Sequence, residues 1–156
     1  EVLEHIMSVL SMETPDKVRF KRNYDPSIPE IFGDKAQLIQ AFLNIGRNAM
    51  QALLENLEQS DAQITLTTRI RRRYTIGRQN YPLVARIAIT DNGPGIPQDI
   101  IENIFFPMIT GRAEGTGLGL SISQNLIGQH HGLIECNSEP GNTEFAVYLP
   151  LGKNYA

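Results

Sequence analysis

Cysteine is almost missing: Cys136 is the only one in 156 residues. No disulfide can form within the chain, and a reducing, cytoplasmic setting is the default expectation. Long apolar runs are missing too. None approaches the ~20 residues needed to span a bilayer, and nothing at the start reads as a secretory leader. There is no excess of positive charge: 14 Lys and Arg against 17 Asp and Glu leave a net charge of −3. That removes a global pull toward nucleic acid or an acidic membrane surface. Internal repeats and low-complexity tracts are absent. So is a starting methionine; the opening Glu1-Val2-Leu3-Glu4 reads as a cut from something longer.

What remains is an ordinary globular composition, 41% apolar and 20% charged. It suffices for one domain, residues 1–156, with its own core. Residues 1–10 predict a short amphipathic helix with Val2, Ile6 and Val9 or Leu10 on one side. Val18 and Phe20 alternate with charged neighbours, a strand signal. Asp34 and Gln37 form a capping box opening a helix that runs to about residue 57. Residues 63–73 and 83–90 alternate as half-buried strands, with a hairpin tip over 74–80 that holds Gly77. A short helix at about 98–104 and another from Gly117 to about His130, stopped by Gly132, follow. Residues 133–137 and 144–149 are the last strands. The order predicts an α+β two-layer sandwich, a mixed sheet of about five strands under about three helices. Residues 92–116 are too long for a passive loop, and a lid is expected over about 97–116.

Two glycine-rich segments stand out. Asp91-Asn92-Gly93-Pro94-Gly95-Ile96 puts a carboxylate at the end of an apolar strand, beside two glycines. A carboxylate there can accept a hydrogen bond from an adenine amine. The glycines leave room for a flat base and permit positive backbone dihedrals. As a bare sequence it is also an acceptable turn. Gly115-Thr116-Gly117-Leu118-Gly119-Leu120-Ser121 sits just before a helix. Unpaired N–H groups and the dipole at a helix start favour phosphate. The spacing is not Walker A, because no Lys-Ser or Lys-Thr pair follows the glycines. No strand precedes it, as a dinucleotide fingerprint requires. A flexible loop before a helix is the plain alternative.

The helix from residue 35 carries a third signal. Leu38, Phe42, Ile45, Ala49 and Ala52 share a core face. Asn44 and Asn48 stand one turn apart on the neighbouring face, roughly 40° from each other. Gln40, Gln51 and Glu55 extend that face, which a solvated polar stripe would also explain. Asparagine is a poor helix-interior residue because its amide competes for backbone hydrogen bonds. A magnesium role would explain two of them, since Mg²⁺ takes oxygen ligands and shares them with nucleotide phosphates.

These motifs, in this order, resemble the ATP-binding domain of sensor histidine kinases. That is the Bergerat-type (GHKL) fold shared with gyrase, MutL and heat-shock chaperone ATPases. The likeness spans about residues 30 to 150, most of the chain. It implies ATP and Mg²⁺ as cofactors. Asn48 would ligate the metal and Asp91, with Gly93, Gly95 and Ile96 around it, would receive adenine. The backbone from Gly115 through Thr116, Gly117, Leu118 and Gly119 to Leu120 would hold phosphate. Phe105-Phe106-Pro107 lies where the family has its phenylalanine box. Gly141-Asn142-Thr143-Glu144-Phe145 resembles its last box, with Thr143 near adenine.

Four segments are similar to nitrogen-regulation kinases of the NtrB type. They are the runs Tyr24 to Pro29, Asn44 to Leu53, Phe106 to Arg112 and Thr143 to Pro150. By that resemblance a homodimeric parent would phosphorylate a histidine on its own dimerisation domain. It would pass the group to an NtrC-type response regulator and answer to a PII-type signal protein. No nucleic acid or membrane partner is implied.

Hydrolysing relatives carry a Glu one turn before the metal-binding Asn; here that residue is Asn44. An amide cannot take a proton from water near neutral pH, so γ-phosphate would be held for a protein nucleophile. Gln51 stands where many of these kinases have Lys or Arg. Arg112 stands where the lid often has Lys, and could supply charge to phosphate. No phosphoacceptor motif is present. His5 precedes Ile6 and Met7, and His130 and His131 sit at a helix end, where capping and the dipole account for them. The chain therefore reads as a catalytic domain with little self-phosphorylation. A nucleotide-binding regulatory module and a GHKL-type ATPase are the alternatives. Arg69, Arg71, Arg72, Arg73 and Arg78 cluster at the hairpin, where charge guards an edge from aggregation. A regulatory docking surface is a further option for them.

Overall fold

The computed structural model describes residues 2–13, 18–31, 33–54, 61–102, 104–105 and 119–151. In chain order these form α1 (Val2–Glu13), β1 (Arg19–Asn23), α2 (Lys35–Leu54), β2 (Gln63–Ile76) and β3 (Gln79–Asp91). There follow α3 (Gln98–Ile101), α4 (Gly119–Gln129), β4 (Leu133–Glu139) and β5 (Asn142–Pro150). The sheet order is β1-β2-β3-β5-β4, with β1 parallel to β2 and every other pair antiparallel. The expected mixed five-stranded sheet under helices is thus observed. Among the described residues four helices are found where about three were expected, α3 being a single turn.

Period-two alternation builds the sheet's inner face. Ile64, Leu66, Ala85, Ile87, Ile89, Ile134, Phe145, Val147 and Leu149 all join the main core. They meet Ile6, Met7 and Leu10 of α1, Leu38, Phe42, Ile45 and Leu53 of α2, and Ile127 of α4. Burying each such side chain stabilises the fold by about 1.5–3 kcal/mol relative to leaving it in water. The first helix runs three residues beyond the expected 1–10, and Met7 joins its buried side.

Helix ends are where the chain departs most from expectation. Asp34 caps α2 by accepting the Gln37 N–H at 3.1 Å. The other half of the expected capping box comes from elsewhere: the Asp34 N–H donates to His130 Nε2 at 3.0 Å. His130 Nδ1 in turn lies 2.8 Å from the Leu126 carbonyl. One neutral ring, protonated at Nδ1, satisfies both contacts and ties the end of α4 to the start of α2. His130 does cap, as its position suggested, but without needing a positive charge.

The α4 C-terminus closes as a Schellman motif. Gly132 N–H reaches the Ile127 carbonyl at 2.9 Å and His131 N–H the Gly128 carbonyl at 3.0 Å. The left-handed residue is His131, at φ 62°, not the glycine. Gly132 is required for another reason. A Cβ there would lie 2.6 Å from the Tyr148 carbonyl and 2.8 Å from Ile127 Cγ2.

The hairpin is longer and tighter than expected. Pairing continues to Ile76 opposite Gln79, so 74–76 and 79–80 are strand and only Gly77 and Arg78 form the turn. Gly77 at φ 62° fits the glycine-first pattern of a type II′ turn. Arg73, at φ 50°, switches the side-chain alternation. Tyr74 thereby reaches the outer face and stacks on Tyr148, with centroids 4.6 Å apart and planes 9° apart. Arg86 bonds the Tyr148 hydroxyl at 3.1 Å and pairs with Glu144. That polar lattice covers Val84, Ala88 and Ala146, which are almost fully buried on the outer face. Arg71, Arg72, Arg73 and Arg78 stay exposed.

Gly132→Ala forces a methyl against a backbone carbonyl that cannot swing away. It should lower unfolding stability by about 1–3 kcal/mol in urea titration. An unchanged midpoint would contradict the close approach of this turn to β5.

Candidate functional site

Asp91 ends β3 on the inner face and is only 2% exposed. It lies opposite Thr143 of β5, itself 3% exposed. A buried carboxylate is costly unless hydrogen bonds compensate. One comes from its own turn, where Gly93 N–H donates to Asp91 Oδ1 at 2.9 Å. Gly93 has no room for more than hydrogen. A Cβ would sit 2.9 Å from Asp91 Oδ1 and 3.5 Å from Leu53 Cδ2. Gly95 serves a different purpose. It adopts φ 91°, and a Cβ there would meet the Glu139 carbonyl at 3.0 Å. Its conformation and its packing against the β4–β5 turn both demand glycine.

The loop is braced on both sides. Asn92 Oδ1 accepts the Gln63 N–H at 2.8 Å, and its amide donates to the Asp61 carbonyl at 2.6 Å. On the other side Gly141 N–H donates to the Gly93 carbonyl at 2.9 Å. Ile96 N–H donates to Ser138 Oγ at 2.8 Å, and Ser138 Oγ lies 2.7 Å from Thr143 Oγ1. Asn92 and Ser138 were not among the sequence-derived candidates. Asn92 lay inside the quoted motif. Ser138 could have been noticed as a polar residue sharing the inner face with Ile134 and Cys136.

The two helix asparagines sit on α2, both half-buried. The Asn44 amide donates to the Gly119 carbonyl at 3.3 Å, which fixes the start of α4. Ser123 Oγ donates to the Ala41 carbonyl at 2.8 Å and locks the same two helices together. At the other end of α2, Ala52 and Leu53 lie against Gly93. The helix face from 44 to 52 therefore runs about 12 Å, at 1.5 Å per residue, between the α4 start and the Asp91 turn. Asn48 stands midway.

Of the glycine-rich phosphate segment, Gly119 and Leu120 are the first residues of α4. Arg112, Gly115, Thr116, Gly117 and Leu118 lie outside the described residues, as do Phe106 and Pro107. The described beginning of the expected lid is packed down. Ile104 is buried, and Phe105 meets Phe145 edge to face at 6.4 Å. Gln51 is half-buried on α2.

Electrostatics reach one further residue. Burial, then the charges of Asp91 and Glu144, push the Cys136 thiol up to about 12. It faces the core and stays protonated at neutral pH.

With this geometry in hand, comparison with known proteins is decisive. Residues 33–153 match the family described as histidine kinase-, DNA gyrase B-, and HSP90-like ATPase. The chain belongs to that ATPase family. It is 51% identical over 153 residues to the sensory histidine kinase/phosphatase NtrB of Salmonella typhimurium. That alignment takes in 98% of this chain and 43% of the relative, so the chain spans less than half of the protein it matches. Two solved histidine kinases share the fold. The nucleotide-free catalytic domain of ThkA gives a TM-score of 0.75 at 24% identity, over 96% of this chain and 90% of that one. Full-length ShkA in complex with AMPPNP gives 0.74 at 24% identity, over 99% of this chain and 30% of that one. No helix among the described residues is long and apolar enough to cross a membrane.

Alkylation of Cys136 tests the local field. At pH 8 the folded thiol should react at least about a hundredfold more slowly than in the urea-unfolded chain. Asp91→Asn removes one of the two charges that hold the proton on, and should speed the folded reaction several-fold. Equal rates in the parent and the variant would argue against an ionised carboxylate beside Cys136.

Proposed function

We propose that this chain is the ATP-binding catalytic domain of a sensor histidine kinase in nitrogen regulation. The observation that carries the reading is the buried Asp91 carboxylate opposite Thr143, at one end of an asparagine-bearing helix face. The base would lie at Asp91, which accepts from the adenine amine, with Gly93, Gly95 and Ile96 shaping the turn. The phosphates would lie toward Gly119 and Leu120, where the dipole of α4 favours anions. In this reading Gly115, Thr116, Gly117, Leu118 and Arg112 complete the phosphate side.

The donor set fits Mg²⁺. Asn48 offers a hard, neutral amide oxygen midway along the face, and phosphate oxygens would supply others. The ion would neutralise phosphate charge when bound. The chain's own part is to grip the base, orient the triphosphate and keep an unreactive amide, Asn44, where a hydrolase needs a base.

Transfer then depends on positioning. The γ-phosphoryl group moves to an imidazole nitrogen of a histidine on the parent's phosphoacceptor domain, and ADP departs. The parent would be a cytoplasmic homodimer that passes the group to an NtrC-type response regulator under control of a PII-type signal protein. The 51% identity to an NtrB supports this assignment. A plain ATPase is disfavoured by Asn44.

The deciding experiment supplies γ-labelled ATP, Mg²⁺ and a separate fragment bearing the acceptor histidine. Label should appear on that fragment, with little on the chain itself and little free phosphate. ATP binding without transfer would favour a regulatory module, and sustained phosphate release an ATPase. In calorimetry, Asp91→Asn should weaken ADP binding on the order of tenfold to a hundredfold, the worth of a charged hydrogen bond. Circular dichroism should stay native. Undiminished affinity in the variant would contradict the adenine contact.

A further inference from the structure

We propose that the end of the β2–β3 hairpin is a docking arm for an acidic segment of a partner protein, gripped through exposed arginines. Residues 62–90 hold six arginines, no lysine and no acidic residue. Those six leave eight Lys and Arg for the rest of the chain, against all 17 Asp and Glu. Positive charge is therefore concentrated on one element of an otherwise acidic molecule.

Two of the six are used within the fold. Arg86 pairs with Glu144 and bonds the Tyr148 hydroxyl, and Arg69 donates to the Asn23 and Thr68 carbonyls. Arg71, Arg72, Arg73 and Arg78 are exposed, and among the described residues none of them meets a carboxylate. The hairpin also outruns its sheet. β1 pairs with β2 only over Gln63–Thr67 and β5 with β3 only over Val84–Asp91, while β2 and β3 pair on to Ile76 and Gln79. From Arg71 to Ile76, about 20 Å at 3.3 Å per residue, the arm has no further strand on either side among the described residues. β3 carries the arm at one end and Asp91 at the other.

Edge protection alone does not call for this charge. The left-handed Arg73 already interrupts the ladder, which skips Arg73 and Pro82, and a broken edge resists pairing with another chain. For the same reason a partner would not add as a strand, and recognition falls to the side chains. Guanidinium forks match carboxylates in a two-bond geometry that lysine lacks, and a patch of one sign steers and orients a partner of the other. A nucleic acid fits less well. Tyr74 gives a ring face to Tyr148 and Tyr81 is buried, so the arm offers little aromatic surface for stacking bases. The acidic remainder of the chain also repels a long polyanion.

The test is fluorescence anisotropy with a labelled ten-residue peptide of alternating Glu and Gly, beside a six-nucleotide single-stranded oligothymidylate of the same charge. The peptide should bind saturably at 50 mM salt and roughly tenfold more weakly at 200 mM. Arg72→Glu with Arg78→Glu should weaken it on the order of tenfold, while circular dichroism and ADP affinity stay those of the parent. Arg71→Gln with Arg78→Gln, which only neutralises, should weaken it severalfold and guards against a folding defect in the first pair. Lys21→Glu with Lys35→Glu makes the same change in net charge away from the arm and should leave peptide binding as in the parent. Absence of peptide binding would overturn the proposal. So would equal weakening by the arm pair and the Lys21 and Lys35 pair, which would make the attraction a diffuse field. Tighter binding of the oligonucleotide than of the peptide would make the arm a nucleic-acid surface and overturn it as well.

Discussion

One buried carboxylate organises the molecule. Asp91 lies at the end of a central strand, 2% exposed, on the face that carries the main apolar core. Keeping it there imposes conditions on its neighbours. Gly93 must lack a side chain so that its N–H can turn back onto Oδ1. Gly95 must take a left-handed backbone and pack on the β4–β5 turn. Asn92 and Gly141 tie the loop to β2 and β5. A turn of six residues is thereby tied by hydrogen bonds to the strands on both sides, which suits it to the base contact proposed for Asp91.

The helices extend that bracing along the proposed nucleotide site. α2 packs its apolar stripe on the sheet, sets Asn44 against the start of α4 and leaves Asn48 one turn further along. Ser123 bonds α4 to α2, and His130 bonds it to the α2 cap. The start of α4 is therefore fixed relative to Asp91 through α2. The outer face of the sheet is insulated by the Tyr74, Tyr148, Arg86 and Glu144 lattice.

Much of this was legible in the sequence, and for physical reasons. Alternation in 63–73 and 83–90 and the four-residue spacing of Leu38, Phe42 and Ile45 report burial directly, so strands, helix faces and layer order followed. The Asp-Asn-Gly-Pro-Gly run was legible because glycine positions mark backbone demands. Contacts between distant segments were not legible. Nothing near Asp34 announces that His130, 96 residues away, will complete its cap. The hairpin tip was expected over 74–80, but cross-strand pairing continues to Ile76 opposite Gln79 and confines the turn to Gly77 and Arg78. Gly132 was expected to stop α4, without a left-handed residue being named. His131 is that residue, and the glycine is there for the Tyr148 carbonyl.

The roles of the individual residues can be read in solution from amide shifts of the ¹⁵N-labelled chain during titration with ADP and Mg²⁺. On this account the resonances of Gly93, Gly95, Ile96 and Ser138 move together and saturably, while those of Ile76, Gly77 and Arg78 stay fixed. Saturable shifts confined to other regions, or none at all, would show that the Asp91 turn does not hold the base.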